Sequence, residues 1–120
     1  MKGIMILAHG SRVKSTVDTI ETVVSMVKDM VDLSETPVEI AYMELCEPNI
    51  AKTVDKLVKM GVDEIKVVPY FLFEGIHIKE DIPNEISELL VEYPDIKVTM
   101  GKTLGADRRL AEILKDRIFE

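Results

Sequence analysis

Two histidines occur in the 120 residues, His9 and His77. Each follows a short apolar run, and a third such run is followed by Glu44. An imidazole titrates near neutral pH, so it can accept a proton, donate one, or bind a divalent metal through a ring nitrogen. Two imidazoles and a carboxylate, with coordination positions left open, form a suitable ligand set for a divalent transition metal. The segment Pro69-Tyr70-Phe71-Leu72-Phe73 leads towards His77. Three aromatic rings beside a metal site would suit a flat, conjugated ligand.

Each of these residues also has a plainer reading. A histidine after a strand commonly caps or turns the chain, and Glu44 alone reads as a solvated loop acid. Cys46 reads as a small apolar residue before it reads as a ligand. Gly10 and Gly75 satisfy turn geometry, although a glycine also lets a ligand approach the backbone. At least one of the three aromatics belongs to the core. The coincidence of both histidines at one kind of position favours a shared metal or proton-transfer role.

The elements that would position these residues follow from apolar periodicity. Residues 3–8 are continuously apolar, as in a strand covered on both faces, and 38–43, 65–71 and 96–100 are three further strands. Helical spacing runs through 15–32, with Val17, Ile20, Val23, Val24, Val27, Met30 and Val31 on one stripe and Ser15 with Asp18 as a capping-box start. Pro48 suits the first turn of a second helix ending at Gly61. Pro83 opens a third helix that stops before Pro94. The fourth runs from about Asp107, with Leu110, Ile113, Leu114 and Ile118 expected inside.

The order βαβαβαβα predicts an α/β fold: a single-domain, four-stranded parallel sheet between helices, spanning 1–120. In the flavodoxin-like order 2-1-3-4, strands 1 and 3 lie side by side, with axes about 4.8 Å apart. Ligands of such sheets bind at the carboxyl ends of the strands. His9, Glu44 and His77 all fall at that edge, where the two histidines could face one another across a cleft.

Composition excludes several alternatives. Fifteen Lys and Arg against 22 Asp and Glu give a net charge of −7, which carries no general basic footprint for nucleic acid or an anionic membrane. One cysteine excludes a disulfide framework within the chain. No apolar stretch approaches the roughly 18 residues that span a bilayer, and Met1-Lys2-Gly3 shows no cleavage pattern, so a soluble, cytoplasmic protein is expected. There is no G-x-G-x-x-G, no G-x-x-x-x-G-K-[ST] and no G-x-S-x-G, so no nucleotide cofactor and no serine nucleophile are expected.

Leu7-Ala8-His9-Gly10-Ser11-Arg12, together with Pro69-Tyr70-Phe71-Leu72-Phe73-Glu74-Gly75-Ile76-His77 and the trailing Asp81-Ile82-Pro83, resembles the short, single-domain sirohydrochlorin chelatases of the CbiX type. These are small archaeal members of the class II chelatases. Glu44 with Glu47-Pro48-Asn49-Ile50 keeps the same order and spacing. The resemblance implies ATP-independent insertion of a divalent metal into sirohydrochlorin, Co²⁺ for cobalamin or Ni²⁺ for coenzyme F430. It implies that His9 and His77 hold the metal and help remove the pyrrole protons, with Glu44 completing the ligand set or relaying a proton. It also implies a homodimer with the macrocycle between subunits. Many relatives carry a histidine near the position of Ala106-Asp107, which this chain lacks.

Ser11, Arg12, Tyr70, Phe71, Phe73, Gly75 and Lys102 make the expected substrate-facing set. Arg12 and Lys102, with Lys14, Lys79 and Arg108, would supply positive charge for the substrate's carboxylates. Two other readings are compatible with these residues. One is a phosphohistidine carrier of the mannose-type sugar-phosphotransferase kind, with His9 accepting the phosphoryl group. The other is a carrier that binds metal or tetrapyrrole without catalysis.

Overall fold

A computed structural model describes the backbone of residues 1–120 and every side chain except those of His77 and Ile78. Four strands, β1 (Lys2–Ala8), β2 (Val38–Tyr42), β3 (Glu64–Pro69) and β4 (Lys97–Met100), alternate with α1 (Lys14–Asp29), α2 (Ile50–Lys59), α3 (Ile82–Leu89) and α4 (Arg108–Ile118). A π-helical turn, His77–Asp81, leads into α3. The strands form one parallel sheet in the order β2-β1-β3-β4. This is the expected single-domain α/β architecture.

The order reverses at β1, and right-handed crossovers then place α1 on one face and α2 and α3 on the other. The α2/α3 face is the thicker core. Met5, Leu7, Ala41, Val54, Leu57, Ile65, Val67 and Ile82 are among eleven buried residues there. On the α1 face Ile6, Val24 and Val38 form a smaller buried cluster.

Several element starts differ from expectation for local reasons. Ser15 and Asp18 do not cap α1; its cap is extended Val13, whose N–H donates to Ser11 Oγ at 3.0 Å, and Asp18 instead pairs with Lys14 at 3.1 Å. Pro48 lies just before α2, and Asn49 caps that helix by accepting from the Lys52 N–H at 2.9 Å. β3 stops at Pro69 rather than 71, where its paired register with β1 ends at Leu7 opposite Pro69 and that with β4 at Met100 opposite Val67.

The largest departure is α4. It starts about where expected, and Asp107 caps it, accepting from the Arg109 N–H at 2.9 Å. However, none of its residues is buried, and Ile113, Leu114 and Ile118 are exposed rather than inside. It packs substantially against no other element. The fold is accordingly drawn out to 51 × 33 × 27 Å.

Candidate active site

The site is built where β1, β2 and β3 end. Ala8 lies opposite Tyr42, and Leu7 lies opposite Pro69. The ladders continue one step past the strands. The Met43 N–H donates to the Ala8 carbonyl at 2.9 Å and the Glu44 N–H donates to the His9 carbonyl at 3.1 Å. On the other side the Tyr70 N–H donates to the Leu7 carbonyl at 2.7 Å. The His9 backbone is therefore held from the β2 side by Glu44, while Tyr70 anchors the end of β1 from the β3 side.

Its imidazole is exposed on the solvent side and supported from β3. The Phe71 ring meets it edge-on, with centroids 4.4 Å apart and planes at 68°. Phe71 itself is buried, at 9% exposure. It therefore acts as the wall behind His9, whereas Phe73, at 76%, stands in solvent.

Gly10 makes the close approach of β1 and β2 possible. Its φ is +96°, and a Cβ there would sit 1.9 Å from the Glu44 carbonyl oxygen. Only glycine meets both demands. Glu44 is exposed beside it, and its carbonyl accepts from the Cys46 N–H at 2.9 Å. Leu45, between them, has φ 70° with an exposed apolar side chain, a left-handed conformation that costs energy outside glycine. No turn residue in the sequence announces that kink.

Beyond β4, the Leu104 N–H donates to the Phe71 carbonyl at 2.8 Å and the Gly105 N–H to the Leu72 carbonyl at 2.7 Å. These bonds tie Lys102 and its neighbours to the loop after β3. Exposed apolar side chains thus gather along the same edge from three loops: Leu45 after β2, Leu72, Phe73 and Ile76 after β3, and Leu104 after β4. Sequence reasoning found the aromatics but not Leu45, Ile76 or Leu104. An isolated aliphatic residue in a loop gives no periodic signal.

The remaining expected residues are placed as follows. Ser11 and Tyr70 are half-buried, Ser11 through its bond to Val13, and Gly75 lies in open space. Arg12 and Lys102 are exposed, and among the described residues neither has an acidic partner within ion-pair distance. Lys14, Lys79 and Arg108 are instead matched by Asp18, Glu74 and Glu112, at 3.1, 3.7 and 3.6 Å. The positive charge expected at the edge therefore rests on two residues of the five. The His77 side chain lies outside the described residues, and among those described no three His, Cys, Asp or Glu side chains gather as a metal cage.

Open parallel sheets bind their ligands at the carboxyl edge, and here that edge presents the exposed His9 imidazole and the exposed apolar side chains of three loops. The chain belongs to the CbiX family, whose sequence profile matches residues 3–120. It is 36% identical to the sirohydrochlorin cobaltochelatase of Methanopyrus kandleri, the match covering 100% of this chain and 96% of that one. It is 33% identical to the sirohydrochlorin ferrochelatase of Priestia megaterium but spans 44% of that longer chain. Among solved structures, a CbiX protein from Marinobacter aquaeolei superposes with a TM-score of 0.82 at 30% identity, covering 98% of this chain and 94% of the other. The sirohydrochlorin chelatase SirB from Bacillus subtilis, in complex with cobalt, gives 0.88 at 34% identity, covering 98% and 49%.

Proposed function

We propose that this protein inserts a divalent metal ion into sirohydrochlorin without ATP. The observation that carries the reading is the exposed His9 imidazole, held edge-on by Phe71 within the apolar rim of Leu45, Leu72, Phe73, Ile76 and Leu104. An apolar rim receives the flat face of a macrocycle, while the imidazole addresses its centre. Membership of the CbiX family, with full-length relatives named cobaltochelatases, supports the same reading.

The chemistry required is modest. A hydrated dication sheds water, enters the ring, and displaces two pyrrole protons, which leave as two H⁺. An imidazole suits both steps, because it replaces water on the metal without holding it irreversibly and can also accept a proton. In this reading His9 delivers the metal and takes up a proton, and His77 is its partner from the turn before α3. Glu44, whose backbone is bonded to His9, adds a carboxylate to the ligand set or relays the proton outwards. Arg12 and Lys102 attract the substrate's carboxylates.

Cobalt is the metal in the names of the full-length relatives and in the SirB complex. We extend the proposal to nickel, since imidazole and carboxylate accept both ions and Ni²⁺ binds such ligands more tightly than Co²⁺. The products would serve cobalamin or coenzyme F430 synthesis in the cytoplasm. We further propose a homodimer, because a chain of 120 residues with an open edge shares the macrocycle with a second copy better than it encloses it alone.

Visible spectroscopy of sirohydrochlorin mixed with Co²⁺ or Ni²⁺ tests the reading. Catalysed spectral change that is lost in His9→Ala and His77→Ala is expected. Binding without a spectral change faster than the uncatalysed rate would reduce the protein to a carrier, and phosphorylation of His9 without metal would replace the reading altogether.

A further inference from the structure

We propose that Lys66 is a specificity residue for the substrate. Its ammonium, carried up the α1 side of the sheet to the carboxyl edge, binds one carboxylate of the macrocycle from the β3–β4 side. This contact deepens the sirohydrochlorin reading and rests on it.

Lys66 stands in the middle of β3, opposite Ile4 on β1 and Thr99 on β4. Ile4 packs into the α1-side cluster, and strand alternation puts Lys66 on that same side with Glu64 and Val68. Gly101 closes the β3–β4 ladder, its N–H donating to the Val67 carbonyl at 2.7 Å. It therefore lies level with Val68, one step beyond the Val67–Met100 pair. A Cβ on Gly101 would meet Lys66 Cε at 3.1 Å. The lysine stem thus climbs from the level of Thr99 to that of Gly101, beside the space that a side chain there would fill. Its ammonium heads for the edge at which Tyr70 and Lys102 follow the two strands.

The charge it carries is not spent within the chain. Glu64 lies two residues back on the same face, but it has Lys2 and Lys97 opposite it in register, and Lys66 leans away from it. Among the described residues no carboxylate lies within ion-pair distance of the Lys66 Nζ. The helix on this side, α1, packs chiefly on β2, so the half-buried stem ends in a head open to water. Such an ammonium has already lost part of its hydration, and the sheet beside it lowers the local dielectric. Both make an incoming carboxylate worth more here than at a fully exposed lysine. With Arg12 and Lys102, Lys66 makes three cations along one edge of an acidic chain. In the sequence it reads only as a polar residue within a strand.

Lys66→Met keeps the stem and removes the charge, Lys66→Gln keeps a polar head without charge, and Lys66→Arg keeps the charge. Binding of metal-free sirohydrochlorin, followed by its own visible absorption, is measured beside steady-state insertion of Co²⁺. Lys66→Met and Lys66→Gln should raise Kd and KM about tenfold, the effect of one charge-assisted hydrogen bond. Their kcat and urea midpoints should stay close to the parent, and added salt should narrow the gap in Kd. Lys66→Arg should restore most of the binding. Gly101→Ala, which crowds the stem, should weaken binding in the parent but add nothing to Lys66→Met. Folded Lys66→Met and Lys66→Gln chains that bind sirohydrochlorin as tightly as the parent overturn the contact and leave the enzyme reading intact. A fall in kcat at unchanged KM, or a loss that Lys66→Arg does not restore, overturns it too, since Lys66 would then support the sheet and not the substrate. A parent chain that binds no sirohydrochlorin overturns the contact together with the reading on which it rests.

Discussion

The His9 imidazole and the Phe71 ring stand edge to face at 4.4 Å, one at the end of β1 and the other just past β3. The two strands are paired neighbours, so the contact is fixed by the sheet and needs no loop to fold upon ligand. An imidazole that delivers a metal must point consistently at the centre of the macrocycle. The buried ring removes part of the rotational freedom that an exposed histidine would otherwise have.

Phe71→Leu tests that relationship. An edge-to-face pair contributes about 1 kcal/mol beyond its burial, so loss of orientation should lower kcat for metal insertion by up to about tenfold. KM for sirohydrochlorin should hardly change, because the substituted side chain lies behind His9. Steady-state kinetics separates this outcome from a substrate-facing role, in which KM would rise instead. Urea unfolding of the same variant accounts for any loss of core stability.

Gly10→Ala should be severe. The new Cβ would meet the Glu44 carbonyl oxygen at 1.9 Å while φ stays at +96°. Left-handed strain and displacement of the β2 end together should cost about 2 kcal/mol or more. The bond from the Glu44 N–H to the His9 carbonyl would be the first to open. Gly75→Ala is the matched control, since nothing lies within 4 Å of a Cβ there. Its stability should stay within about 0.5 kcal/mol of the parent. Chemical denaturation of both variants decides, and equal stabilities would refute the steric argument.

These two positions also show how far the sequence was legible. The strand-helix alternation, the strand order and the location of His9, Glu44 and the aromatic loop at one edge all follow from periodicity and one topological rule. Periodicity says that a stripe will be buried without saying by what. For that reason Leu110, Ile113, Leu114 and Ile118 were expected inside, whereas α4 stands off its own body. The Ser15 cap failed because Ser11, four residues before the expected helix start, ties down Val13. Leu45 was illegible because its left-handed φ is imposed by the closing of the β1 and β2 ends, not by its own residue type.

Alkaline pH should report on Tyr42. Burial first, and then the nearby negative charge of Glu21, push its phenol up to about 12 from 10.0. The hydroxyl faces Glu21 Oε1 at 3.5 Å. The unfolded chain therefore loses this proton before the folded one does. Stability is complete below about pH 10 and falls as pH rises from 10 towards 12. Tyr93, raised chiefly by its hydrogen bond to Asp55, changes stability in the same direction. Urea midpoints measured across this range should decline less steeply in Tyr42→Phe than in the parent. Identical slopes would show that the phenol is not protected by the fold.

Arg12 and Lys102 carry the last test. An acidic chain that takes a polycarboxylate must concentrate its positive charge, and Lys14, Lys79 and Arg108 are already matched by neighbouring acids. Arg12 and Lys102 flank the edge from β1 and β4, exposed and without an acidic partner among the described residues. A charge-assisted hydrogen bond to a carboxylate contributes about 1.5–3 kcal/mol when well formed, and less at an exposed position. Arg12→Ala and Lys102→Ala should therefore each raise KM for sirohydrochlorin several-fold, leaving kcat and unfolding midpoints close to the parent. The increase should shrink as salt is added, since exposed charges are screened within about 8–10 Å at physiological ionic strength. If the double variant keeps the parental KM at low salt, the substrate's carboxylates are bound elsewhere, and the orientation proposed for the macrocycle over His9 must be reversed.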